Sequence, residues 1–145
     1  IVYNKHRGTI IKKGVINVAN GYILNKGAVQ IFLTELKDIL DKKDSELIII
    51  ERKDKKEGYN LSDCRTELGI DDNDIKEYLK KLTLQNYIET CDDERNKKSR
   101  AYYIFGIEIK NKEIYIKIKI QSYDKKIILC MSFHYAEYKL EFPYK

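Results

Sequence analysis

The sequence is poor in the residues from which most metal and disulfide sites are built. It has three cysteines (Cys64, Cys91 and Cys130), two histidines (His6 and His134) and one proline, Pro143. The cysteines show no paired spacing, which argues against a disulfide framework or a zinc site and points to folding in a reducing compartment. Long apolar runs are also missing. The longest aliphatic stretches, Leu47-Ile48-Ile49-Ile50 and Ile127 to Met131, are far short of the roughly 20 residues that a membrane-spanning helix needs. The first residues show no signal-peptide pattern. No Gly-Lys-Ser/Thr follows the early glycines, so no phosphate loop is expected. The expectation is a chain that works with no metal and no cofactor.

What is present suffices for one folded domain. The chain has 145 residues, of which 43% are hydrophobic, so it is long enough for one real core and too short for two. Lys and Arg number 28 against 23 Asp and Glu, for a net charge of +5. The excess sits at the ends. Residues 1–28 hold Lys5, Arg7, Lys12, Lys13 and Lys26 and no acid, the middle is mildly acidic, and residues 87–145 are basic again. Such a balance favours polyanionic partners without naming one.

Periodicity divides the chain. Gly8, Gly14, Gly21 and Gly27 punctuate short β-like runs, and Asn20-Gly21 is a hairpin signal, so residues 1–27 read as a basic β-arm. Its cations Lys5, Arg7, Lys12 and Lys13, with His6, suit either RNA or an acidic protein partner, or serve only as a solubilising arm. Residues 28–145 read as a single α+β domain. Val29, Phe32, Leu33, Leu36, Ile39 and Leu40 share one face of a helix over 28–43. A β-like run at 46–51 follows, then a helix beginning near Ser62 and ending at Gly69, and another starting in Asp71-Asp72-Asn73-Asp74. From Tyr87 the period becomes two. Strands are expected at 102–109, 113–120 and 127–133, with a turn at Asn111-Lys112. The architecture is helices packed on one face of an antiparallel β-meander.

The polar side of that meander carries the chemistry. Ile114, Ile116, Ile118 and Ile120 point one way; Tyr115, Lys117 and Lys119 point the other. In the next strand, strict alternation puts Ile127, Leu129, Met131 and Phe133 on the helix side and Ile128, Cys130, Ser132 and His134 opposite. Tyr115, Lys117, Lys119, Ser132 and His134 are then displayed together, on strands about 4.8 Å apart. Metal-independent RNA cleavage by the 2′-hydroxyl needs groups that move protons and cations that hold developing charge. His134 and Tyr115 supply the first, and Lys117 the second, as candidate catalytic residues. Lys119 and Ser132 are candidate substrate contacts. The loop Arg95, Lys97, Lys98 and Arg100 leads into Tyr102 and Tyr103, and it joins cations to stacking surfaces of the kind single-stranded nucleic acid uses. The same residues also fit an ordinary wet face and a charged hairpin tip.

Several segments carry a resemblance: Leu82-Thr83-Leu84-Gln85-Asn86-Tyr87, Tyr102-Tyr103-Ile104-Phe105-Gly106, Glu113-Ile114-Tyr115-Ile116-Lys117, Ile128 to His134, and the tail Ser132-Phe133-His134-Tyr135-Ala136-Glu137 ending in Phe142-Pro143-Tyr144-Lys145. This block resembles the MqsR family of bacterial toxins, which are mRNA interferases. The likeness covers about 100 residues and leaves out 1–27. It implies a RelE-like α+β fold, sequence-selective endoribonuclease activity, growth inhibition, and a neutralising antitoxin or immunity protein. Tyr115 matches a tyrosine tied to activity in the family. His134 falls where the family has a lysine. Glu89 replaces a family lysine, and a family glutamine has no counterpart near Tyr103.

Two other classes fit parts of the chain. Residues 61–105 have the outline of a winged helix-turn-helix, in which residues 72–82 would enter a DNA groove. Asp71, Asp72 and Asp74 would then face phosphates, which repel them. An inactive antitoxin or immunity module is the other, and the positive net charge argues against it. The reading carried forward is an endoribonuclease toxin acting in the cytoplasm. Ile1 in place of an initiator Met fits either a trimmed chain or the C-terminal domain of a larger secreted effector.

Overall fold

The fold is set by one long β-meander that buries isoleucines against three helices. The computed structural model describes residues 9–12, 15–18, 21–52 and 55–145. The expected Asn20-Gly21 turn lies partly outside them, as do Lys5, His6, Arg7 and Lys13. Short strands β1 (Thr9–Lys12), β2 (Val15–Val18) and β3 (Gly21–Tyr22) come first, followed by helix α1 (Lys26–Leu40) and strand β4 (Glu46–Ile49). Helices α2 (Leu61–Leu68) and α3 (Asp72–Lys80) come next. The meander is β5 (Tyr87–Cys91), β6 (Tyr102–Ile109), β7 (Lys112–Ser122) and β8 (Lys126–Tyr135).

The helices start where the sequence supplies caps. Asn25 accepts from the Ala28 N–H and starts α1 two residues earlier than its apolar stripe predicts. Asn60, rather than Ser62, caps α2, accepting from the Asp63 N–H. Gly69 ends α2 with φ +66°, a left-handed conformation that suits glycine. Asp71 and Asp74 form a reciprocal capping box at the start of α3.

The strand order is β1-β2-β3-β5-β6-β7-β8-β4. Every pairing is antiparallel except β4 with β8, which is parallel. The meander is thus as expected, and β4 departs from it by adding a parallel edge. Its cause is α1, which returns the chain along the helix-covered face before β4 is laid down. The β6–β7 turn is Lys110-Asn111, one residue earlier than expected, and both residues have positive φ as a tight twisted hairpin requires.

One face of the sheet meets the helices. Ile114, Ile116, Ile118, Ile120, Phe105 and Phe133 are buried there with Val29, Phe32, Leu36, Ile75 and Leu79. Each such side chain contributes roughly 1.5–3 kcal/mol by burial. The opposite face carries a second apolar cluster, Ile88, Cys91, Tyr102, Ile104, Leu129 and Leu140, with Phe142 and Tyr138 of the C-terminal tail packed on it. That cluster was not anticipated from the sequence.

Strict alternation fails in β8. Lys117 pairs with Ser132, but Ile118 pairs with Cys130, so Met131 is an extra, bulged residue. Ile128 and Cys130 therefore join Phe133 and Tyr135 against the helices. Leu129 and Met131, expected on that side, belong to the opposite face. Beyond the bulge the phase is restored: Ser132 and His134 stand opposite Lys117 and Tyr115, on the side expected for them.

Candidate functional site

A cavity of about 510 Å³ opens on the sheet face away from the helices. Among its walls are Arg52, Glu94, Arg95, Tyr102, Tyr115 and Lys117. The strands deliver Tyr102, Tyr115 and Lys117, and the loop between β5 and β6 delivers Glu94 and Arg95. The segment after β4 adds Arg52. Of the residues picked out from sequence, Tyr115, Lys117, Tyr102 and Arg95 are brought together here. Arg52 and Glu94 were missed, because nothing in their local pattern places them on this face.

The remaining sequence candidates have other surroundings. His134 does not line the cavity and is only 5% exposed. Its ring stacks on Tyr115, with centroids 5.2 Å apart and planes within 16°. The Nδ1 atom lies 2.9 Å from the Tyr135 carbonyl oxygen, so Nδ1 carries the proton and Nε2 is the bare acceptor. Nε2 is buried and has no hydrogen-bond partner among the described residues. Burial is the main cause that lowers the His134 pKa; Lys55 and Arg52 lower it further, against the opposing effects of the Tyr135 carbonyl and Glu137. His134 is thus neutral at pH 7 and sits beneath the tyrosine instead of being displayed beside it. Ser132 is buried too, and its hydroxyl oxygen has no partner among the described residues.

Lys119 is a further correction. Expected on the surface, it is 2% exposed. Its Nζ donates to Asp93 Oδ2 at 2.7 Å and to Ser99 Oγ at 3.0 Å. Lys117 and Lys119 each lie 4.8 Å from the centre of the Tyr102 ring. Tyr102 is therefore a buried platform for two cations, not an open stacking surface.

Arg100 is also committed elsewhere. It donates from both guanidinium ends to Glu35 on α1, at 3.0 and 2.6 Å. Tyr103 likewise turns to the helix side and stacks on Phe32 at 3.7 Å. Lys97 and Lys98 are exposed on the loop and do not line the cavity.

The cavity is mixed in charge. Asp92 and Asp93 line it along with Glu94. Asp92 accepts from the Tyr22 hydroxyl at 2.8 Å, and Asp93 is neutralised by Lys119. The Lys119 ammonium is the first cause of the lowered Asp93 pKa. Chemically, the site can hold an anionic group between Arg52, Arg95 and Lys117, with a phenol at its floor. Among the described residues no group of three His, Cys, Asp or Glu side chains is arranged to hold a metal ion. Nor, among them, is any helix long and apolar enough to cross a membrane.

The helix pair that suggested a DNA reader is present as α2 and α3. The first turn of α3 carries Asp72 and Asp74, and Asp72 is tied to Arg65 at 2.5 Å. The strand β6, which would belong to the wing, is instead an inner strand paired with both β5 and β7.

No family model matches this chain, and neither a curated protein nor a solved structure does. The class that the structure itself defines is an α+β domain with three helices on one face of an open, mostly antiparallel sheet.

Proposed function

We propose that this domain binds single-stranded RNA across the cavity and cleaves it without a metal ion, by attack of a 2′-hydroxyl to give a cyclic phosphate. One observation carries the reading. Three cationic side chains, Arg52, Arg95 and Lys117, share a cavity with the half-buried Tyr115, whose ring is braced from behind by His134. The cations hold the phosphate oxygens as charge develops. As the 2′-oxygen bonds to phosphorus, the bond from phosphorus to the 5′-oxygen breaks. Tyr115 gives its phenol proton to the leaving 5′-oxygen, the 2′-hydroxyl proton passes to water, and the phenol is reprotonated from solvent, while His134 supports the ring without touching the substrate. The segments that resemble MqsR-like toxins favour the same reading, with a RelE-like fold and a neutralising antitoxin or immunity protein as partner.

The test is cleavage of labelled RNA oligonucleotides by the purified protein in EDTA. Cleavage should persist, and the products should end in cyclic phosphate. Lys117→Ala should weaken binding and reduce the slope of log K against log salt by about 0.7, the share of one single-strand phosphate contact. Cleavage that stops in EDTA and returns with magnesium overturns the mechanism. Salt-dependent binding to duplex DNA with no RNA cleavage favours the winged-helix reading instead.

A further inference from the structure

Among the described residues Lys119 is the most deeply buried cation of the sheet, and its partners lie near the two ends of one loop. Asp93 opens the segment between β5 and β6, and Ser99 nearly closes it. Lys119 Nζ reaches both, at 2.7 and 3.0 Å. The Asp93 carboxylate passes the constraint on. Its Oδ2 takes the lysine and lies 3.4 Å from the Ser99 hydroxyl, which donates to it, while its Oδ1 accepts the backbone N–H of Arg95 at 3.0 Å. The loop also bonds to itself, from Asn96 N–H to the Asp93 carbonyl and from Ser99 N–H to the Asn96 carbonyl. A buried ammonium that lost Asp93 would be left desolvated and unpaired, so the loop is held strongly to the sheet.

We infer that Lys119 is a positioning residue. By latching the loop through Asp93, it fixes Arg95 at the cavity wall, so that Arg95 and Lys117 act on the same phosphate. The inference rests on the RNA-binding reading above and deepens it. It reassigns Lys119 from a substrate contact to a group that acts through Arg95. Without the latch, Arg95 would sample many positions, and its contact would be lost to conformational entropy.

The experiment is a double-mutant cycle read by binding of 2′-O-methyl RNA, which cannot be cleaved by 2′-hydroxyl attack. The unlatched background is Lys119→Met with Asp93→Asn, which removes both charges together and leaves neither one buried alone. In the latched protein, Arg95→Ala should weaken binding several-fold and lower the salt slope by about 0.7. The unlatched protein should show the same two losses, and adding Arg95→Ala to it should cost nothing more. A purely structural latch would lower the melting temperature and leave the salt slope unmoved. An additive cycle, with Arg95→Ala costing the same factor in both backgrounds, overturns the inference. If the unlatched protein does not melt cooperatively, the cycle is run with Lys119→Gln alone, which cuts the ion pair at the lysine and leaves the partly exposed Asp93 in place; additivity there is equally fatal. A wild-type protein that binds no single-stranded RNA removes the RNA reading and the latch together, whereas additivity removes the latch alone.

Discussion

Replacing His134 separates support from chemistry. In His134→Ala the protein loses the Nδ1–H bond to the Tyr135 carbonyl, worth about 0.5–1.5 kcal/mol. It also loses the stack on Tyr115, worth about 0.5–1.5 kcal/mol, and it gains a void. Against these stands relief of the unpartnered Nε2, about 1–3 kcal/mol. The two losses and the relief roughly cancel, so the void sets the net expectation, a destabilisation of roughly 1–3 kcal/mol with a lower melting temperature. His134→Phe keeps a stacking ring of slightly larger size and removes Nε2, so it should lie within about 1.5 kcal/mol of wild type. Cleavage per folded molecule should fall in the alanine variant, because the Tyr115 ring is no longer braced, and be largely kept in the phenylalanine variant. A His134 that moved protons itself would give losses of about 10²–10⁴-fold in both. The pH dependence gives a second reading. The folded pKa lies below the ordinary 6.5, chiefly through burial, with Lys55, Arg52 and Glu137 as the charged neighbours. The unfolded chain then binds the extra proton first, so stability is complete above about pH 6.5 and declines as pH falls through the window beneath it, by at most ~1.4 kcal/mol per pH unit. His134→Phe should lack that decline. Equal inactivity of the two variants, or an unchanged pH dependence of stability in His134→Phe, would refute the supporting role.

Two further perturbations test the frame around the site. Glu35 holds Arg100 and Lys126, and the Arg100 hydrogen bond is the first cause that lowers its pKa from the ordinary 4.5 to about 2. Its stabilising contribution should therefore be present above pH 4.5 and lost as pH falls towards 2; Glu35→Gln should remove that acid-side loss in thermal unfolding and cost about 0.5–1 kcal/mol at neutral pH, less in high salt. Arg100→Ala should show a similar stability change and leave RNA affinity within about twofold, which would place Arg100 outside the binding surface. Gly106 faces the C-terminal tail, where an added Cβ would stand 2.6 Å from Leu140 Cδ1 and 2.9 Å from Phe142 Cζ. Gly106→Ala should lower stability by about 1–3 kcal/mol, and a melting temperature equal to wild type would show that the tail does not press on β6.

The isoleucine row of β7 made one face of the sheet legible from the sequence, because four identical side chains at period two leave no choice of direction. The helix starts were legible to within a residue or two, since Asn25, Asn60 and Asp71 precede apolar stripes. β8 was not legible. Nearly every position from Ile127 to Tyr135 is apolar or small, so alternation alone supports either phase. What decides is β4: Leu47 pairs with Ile128 and Ile49 with Cys130, and both β4 residues pack on the helix-side core. That parallel neighbour lies some eighty residues away in the chain, and no local pattern announces it. Burial of the polar row was hidden for a similar reason. Lys119 looks like a solvated lysine until Asp93 is brought across from the preceding hairpin, and His134 looks displayed until Tyr115 is laid over it.

The Met131 bulge is the step that makes the core and the candidate site compatible. Below it, β8 must give Ile128 and Cys130 to the helices to match Leu47 and Ile49. Above it, the strand must give Phe133 and Tyr135 to the same side, opposite Ile116 and Ile114. Those two demands are of opposite parity, and an unbroken strand satisfies only one of them. An unbulged strand in the lower phase would turn Ser132 and His134 into the isoleucine core in place of Phe133 and Tyr135, and the core would lose both of those large side chains. The extra residue absorbs the mismatch, and Met131 itself is turned to the cavity, where it forms part of the wall with Tyr115 and Lys117. The same device occurs in β5, where Tyr87 pairs with Phe105 and Glu89 with Ile104, leaving Ile88 as the additional residue. It lets Tyr87 and Thr90 face the same side, where their hydroxyls are hydrogen-bonded at 2.7 Å, while Ile88 and Cys91 join the second apolar cluster. Both irregularities lie in strands that border the cavity face, so the packing of the two cores, more than the polar pattern itself, is what sets Tyr115, Lys117 and His134 in register.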